Sequence, residues 1–161
     1  MMKRVKALMN NQKGLTLVEL LAVIVILGII AAIAVPSIGK IIDNSKKDAH
    51  LANAQQMVSS ARLAVAANDK KLWTVNTNSG VAITENQITL EKLISEGYIE
   101  STLKDPDGGD YIKADSFVKI TEKNGEKTYS VYLVGTKRMV GQANEPVDPT
   151  NIDRDDVIVK K

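Results

Sequence analysis

Cysteine is absent from the 161 residues, so no disulfide framework, thiolate nucleophile or cysteine metal site is open to this chain. Histidine occurs once, at His50, in a helical stretch of polar and small residues, and so placed it reads as a solvated side chain rather than a catalytic base. Ser37, Ser45, Ser59 and Ser60 have no visible base partner, so no nucleophilic triad is suggested. Gly108-Gly109 lacks the lysine and the strand-to-helix setting of a phosphate loop. These absences point away from an enzyme. Acids are missing from residues 1–14, which hold Lys3, Arg4, Lys6 and Lys13. Without that segment, 21 − 4 = 17 basic residues face 19 acidic ones, and the net charge falls from +2 to −2. A slightly acidic remainder argues against bulk binding of nucleic acid, which depends on neutralising phosphates.

What the chain has in abundance is one apolar run. Residues 15–35 read LTLVELLAVIVILGIIAAIAV. As a helix this run is roughly 30 Å long, the thickness of a bilayer's hydrocarbon core. It is apolar on every face, and a chain this small has too little mass to bury it all round. The run therefore reads as a membrane span. Glu19 stands out within it, because an ionised carboxylate in a bilayer costs on the order of 2.5 kcal/mol or more at mid-helix. Its place near the N-terminal end and the helix dipole lower that cost a little, yet Glu19 remains the residue of the run with the least structural excuse, and so a functional candidate. Lys13 is near but lies outside the run. Cutting after Gly14 would create a better partner, the new α-amino group of Leu15.

Lys13-Gly14-Leu15-Thr16-Leu17-Val18-Glu19, behind a short basic leader, resembles the class III signal of type IV prepilins and pseudopilins. Glycine precedes the cut, a hydrophobic residue follows it, and glutamate is fifth after it. Pro36 falls where many pilins carry a helix-kinking proline. The resemblance covers residues 10–50, about a quarter of the chain. It implies cleavage after Gly14 by a membrane-bound prepilin peptidase and N-methylation of Leu15, though leucine replaces the commoner phenylalanine there. It also implies that Glu19 is the assembly charge, pairing with the N-terminal amine of a neighbouring subunit. The implied partners are further copies and other pilins, the peptidase, an assembly ATPase, a platform membrane protein and membrane lipid. The implied location is the cytoplasmic membrane, N-terminus inside, followed by an extracellular or envelope-spanning filament. A pilus subunit and a pseudopilin of a type II secretion or competence machine both fit. Outside the family, Ala32-Ile33-Ala34 resembles a signal-peptidase site, which would release a secreted binding domain after Ala34. The run exceeds the usual ~7–15 residues of such a signal, and Glu19 interrupts it.

Beyond the span, Ile38, Ile41 and Ile42 extend the apolar face. Leu51, Ala54, Val58, Ala61 and Val65 then repeat at three- and four-residue steps, which predicts an amphipathic helix to Asn68. The expected organisation is a leader at 1–14, a transmembrane and polymerising helix at 15–35, its amphipathic continuation at 36–68, and a globular head at 69–161. In the head, Asn76 to Gly80 reads as loop, and Thr89 caps a short helix from Leu90 to Glu96 that stops at Gly97. Asn124-Gly125 marks a two-residue hairpin turn. Centred there, the register sets Lys123 against Glu126, Glu122 against Lys127, Ile120 against Tyr129 and Val118 against Val131. Weaker strands at Arg138–Val140 and Asp156–Val159 bring the sheet to three or four antiparallel strands. A long helix on such a sheet is an α+β fold, and it matches the fold the resemblance implies.

Two acidic stretches admit a cation. Asp105-Pro106-Asp107-Gly108-Gly109-Asp110 brings carboxylates around a glycine turn, and calcium is the hard cation they suit. The glutamate expected twelfth in such a loop is replaced by Ser116, and a solvated turn is the simpler reading. Asp148, Asp153, Asp155 and Asp156 carry the same two readings. No metal ligand is assigned. The basic doublets Lys137-Arg138 and Lys160-Lys161 read as solvated surface.

Overall fold

The computed structural model describes residues 16–67, 72, 74–77, 83–100, 103–123 and 125–160. The chain divides into two compact units, Met1–Ile42 and Asp43–Lys161. Helix α1, Leu17–Ala66, takes in residues of both and contains Pro36. In the first unit every large apolar side chain of α1 is exposed, from Leu17 at 82% to Ile42 at 53%. Among the described residues α1 is the one helix long and apolar enough to cross a membrane.

The second unit holds the core. Its part of α1 buries His50, Ala54, Met57, Val58, Ala61, Ala64 and Val65. The apolar members follow the alternating three- and four-residue step that puts side chains on one face of a helix. Against them lies an antiparallel sheet with strands in chain order: β1 Thr74–Thr77, β2 Ile83–Thr89, β3 Phe117–Lys123, β4 Glu126–Val134, β5 Arg138–Val140 and β6 Val157–Val159. Ile88, Val118, Ile120, Val131, Leu133, Val140 and Val157 join the helix stripe in one cluster. Burial of each such side chain contributes about 1.5–3 kcal/mol. Ala54, Ala61 and Ala64 are fully buried, so the smallest side chains sit where helix and sheet share a core.

Helix α2, Leu90–Ser95, follows β2 directly. Thr89 ends the strand and caps the helix, its Oγ1 accepting from Lys92 N at 3.3 Å. Leu90 and Leu93 are the buried side chains of this turn. The β3–β4 register is the expected one: Lys123 pairs with Glu126, Glu122 with Lys127, Ile120 with Tyr129 and Val118 with Val131. Gly125 has φ +84°, the left-handed conformation such a turn asks of glycine. Asn124 lies outside the described residues, as do Asn68 and residues 78–80 of the expected loop.

The sheet is larger than expected. Among the described residues six strands form it, because Thr74–Thr77 and Ile83–Thr89 are strands, with Asn76 and Thr77 in β1 rather than in a loop. Strand β2 pairs with β3 along its whole length, from Ile83–Lys123 to Thr89–Phe117. That tertiary pairing outweighs the weak strand propensity of a segment reading ITENQIT.

Candidate functional site

Two places carry polar chemistry that the fold alone does not require. The first is the start of α1. Thr16 and Glu19 form a reciprocal cap. Thr16 N and Oγ1 both donate to Glu19 Oε2, at 2.7 and 2.8 Å. Glu19 N donates back to Thr16 Oγ1 at 3.2 Å. This is a capping box, in which the third helical residue reaches back to the residue that opens the helix. Glu19, the residue of the run with the least evident structural role, thus has one: its carboxylate accepts from Thr16 N, a backbone donor that the first turn leaves orphaned. The signal was present as Thr16-x-x-Glu19, a recognised spacing for this motif. Gly14 and Leu15 lie outside the described residues.

The second place is a buried ionic cluster in the head, built where α1 meets the loop before β3. The reading of His50 as solvated is overturned, since its side chain is fully buried. Its Nε2 lies 3.3 Å from Asp107 Oδ2 and 3.5 Å from Asp105 Oδ1, and Tyr111 Oη is 2.9 Å from its Nδ1. Asn53 Nδ2 donates to the same Tyr111 oxygen at 2.9 Å. The Tyr111 hydroxyl thus links Asn53 to Nδ1 of the imidazole, whose Nε2 faces the carboxylates. Burial, foremost, pushes the Tyr111 hydroxyl well above its usual range, so it stays protonated and able to donate.

The acidic loop is likewise not a solvated turn in its first half. The Asp105 and Asp107 side chains are 0% and 2% exposed. Asp105 Oδ1 accepts from Asp107 N at 2.8 Å, while its Oδ2 accepts from Thr136 N and Oγ1 at 2.5 and 2.7 Å. A side chain at Gly135 would collide there, because a Cβ would lie 2.7 Å from Asp105 Oδ2. Asp107 Oδ1 takes Lys46 Nζ at 3.3 Å, and its Oδ2 lies 3.4 Å from Arg138 Nε. Arg138 also pairs with Asp43. Burial pushes the Asp107 carboxyl up, but His50, Lys46 and Arg138 together outweigh it and hold it below the usual range. Asp110 stands apart on the surface, paired with Lys104 at 2.6 Å.

His50, Asp105 and Asp107 offer ligand atoms within 4.8 Å of one another, a spacing that suits a metal ion. The surroundings do not suit one. Lys46 and Arg138 already share Asp107, and both oxygens of Asp105 are committed to Asp107 N and Thr136. What the cluster does is fasten residues 103–111 and the β4–β5 turn to α1. The doublet Lys137-Arg138 is not a basic surface patch either, since the Arg138 side chain is only 15% exposed and engaged with two carboxylates.

The acidic tail is occupied with turn chemistry. Asp148 accepts from Thr150 N and Oγ1 at 2.9 and 2.7 Å. Asp153 and Asp156 form a second capping box around the short 3-10 turn Arg154–Asp156. Arg154 grips Asp48 of α1 with two bonds, at 2.6 and 2.7 Å.

A long N-terminal helix, apolar in its first half, followed in the chain by an antiparallel sheet defines an α+β architecture consistent with type IV pilin-like proteins. Residues 9–35 match the prokaryotic N-terminal methylation motif, the class III signal peptide of type IV pilins and pseudopilins, and the chain thus carries the mark of a pilin-like precursor. No curated protein and no solved structure matches the chain.

Proposed function

We propose that the protein is a structural subunit of a type IV pilus-like filament or pseudopilus, stored as a single-pass precursor and not acting as an enzyme. The observation that carries this reading is the methylation motif over residues 9–35, which runs into a helix whose large apolar side chains are exposed from Leu17 to Ile42. An apolar surface of that length needs lipid or other copies of itself to cover it. A prepilin peptidase cuts after Gly14 and the new terminus at Leu15 is N-methylated. Subunits then leave the membrane with the help of an assembly ATPase and a platform protein. They pack through residues 15–35, where Glu19 meets the amine of a neighbouring Leu15 and Pro36 bends the helix. The heads face outward on the filament.

Mass spectrometry of the N-terminal peptide of the native protein tests this. The expected terminus is Leu15, carrying one added methyl group. A terminus at Val35 would replace the filament with ordinary secretion.

A further inference from the structure

We infer that Thr16 is the resting partner of Glu19: in the unassembled subunit the reciprocal cap takes up the carboxylate, and this lets the helix wait in the bilayer. The inference rests on the membrane-stored filament subunit proposed above. An isolated carboxylate entering hydrocarbon is costly because nothing replaces its water. Here Glu19 Oε2 receives two donors from Thr16, the backbone amide at 2.7 Å and the hydroxyl at 2.8 Å. The hydroxyl in turn accepts from Glu19 N at 3.2 Å, so one side chain serves both the carboxylate and the first turn of the helix. Every partner in this arrangement comes from residues 16 and 19, so the cap does not depend on a second subunit. Pairing with a neighbour's amine is then an exchange of one partner for another, and Thr16 sets what must be given up.

The full chain translated into membrane vesicles gives a test whose sign separates the cap from simple hydropathy. Valine is more apolar than threonine, so hydropathy alone makes Thr16→Val insert better. The cap requires the reverse: Thr16→Val lowers the ratio of inserted to free chain about fivefold, the size expected for one lost helix cap. Thr16→Ser keeps the wild-type ratio. In a Glu19→Leu background only the bond from the residue 19 amide to the Thr16 hydroxyl is left to lose, so Thr16→Val costs clearly less there than beside Glu19. Insertion of Thr16→Val at or above the wild-type level overturns the inference, as does an equal loss with and without Glu19. Filament yield of the Glu19→Ala chain in cells is read separately. Wild-type yield there removes Glu19 as the assembly charge, and a wild-type chain that forms no filaments removes the filament reading, while the insertion result still decides the cap.

Discussion

At the scale of single residues, Asp107 and His50 decide how the head's acidic loop is held. Asp107 gathers His50, Lys46 and Arg138 around one carboxylate that is 2% exposed. Removing it leaves those groups buried or half-buried without their acceptor, and breaking a buried pair in this way costs about 3 kcal/mol or more. Asp107→Asn is therefore expected to lower the urea midpoint of the head at neutral pH. The pH dependence has a definite sign. A carboxyl held below its unfolded value contributes stability that is present above the unfolded pKa and is lost as pH falls through the folded one. The gap between wild type and Asp107→Asn should thus be widest at pH 7 and shrink below about pH 4. Urea titrations of both proteins at pH 7 and pH 3 measure it, and a gap that widens in acid contradicts the assignment.

At the scale of elements, the β3–β4 hairpin was the most legible part of the head. Its register follows from a glycine turn and two opposite-charge pairs, Glu122–Lys127 and Lys123–Glu126. Gly125→Val puts a β-branched residue at φ +84°, which should destabilise the head by about 1–2 kcal/mol and lower its melting temperature. Gly125→Asn tolerates that conformation better and should lose less. Equal melting temperatures for Gly125→Val and the parent would mean that the turn is formed differently. The helix stripe was legible for the same reason as the hairpin: Ala54, Val58, Ala61 and Val65 repeat with a local period. Strands β1 and β2 were not, because Thr74–Thr77 and Ile83–Thr89 are short and polar. Their state is set by pairing, β1 on β2 and β2 on β3, which no local pattern records. The buried cluster was hidden by distance along the chain. His50, Asp107 and Arg138 are far apart in sequence, and only the fold brings them together. The Thr16–Glu19 cap, by contrast, is local, its Thr-x-x-Glu spacing lying within one helical turn of an otherwise apolar run.

At the scale of the whole molecule, Glu19 tests whether the apolar helix serves assembly or merely anchorage. Glu19→Ala removes a carboxylate from the span, which favours insertion, so anchorage alone predicts an undamaged or better-inserted protein. Assembly through the carboxylate predicts the opposite for filaments: the chain is still processed, yet sheared surface fractions hold at least tenfold less of it. Glu19→Gln keeps the shape and a hydrogen-bond acceptor while losing the charge, so it distinguishes charge pairing from capping. Filament yields of both variants at the wild-type level would separate the apolar helix from any assembly charge.

The ion pairs at Asp43, Lys46, Asp48 and His50 also have a mechanical meaning. Within the second unit, Asp43 holds Arg138 of β5, Lys46 and His50 hold Asp107, and Asp48 holds Arg154 in the tail. These four side chains span little more than two turns of α1 and bind three separate parts of the head. A load drawn along the helix axis is shared there across several parallel bonds before it reaches the apolar core. Within the second unit these pairs engage before the apolar stripe from Ala54 to Val65 begins, so polar bonds and core packing hold successive turns of α1 to the head.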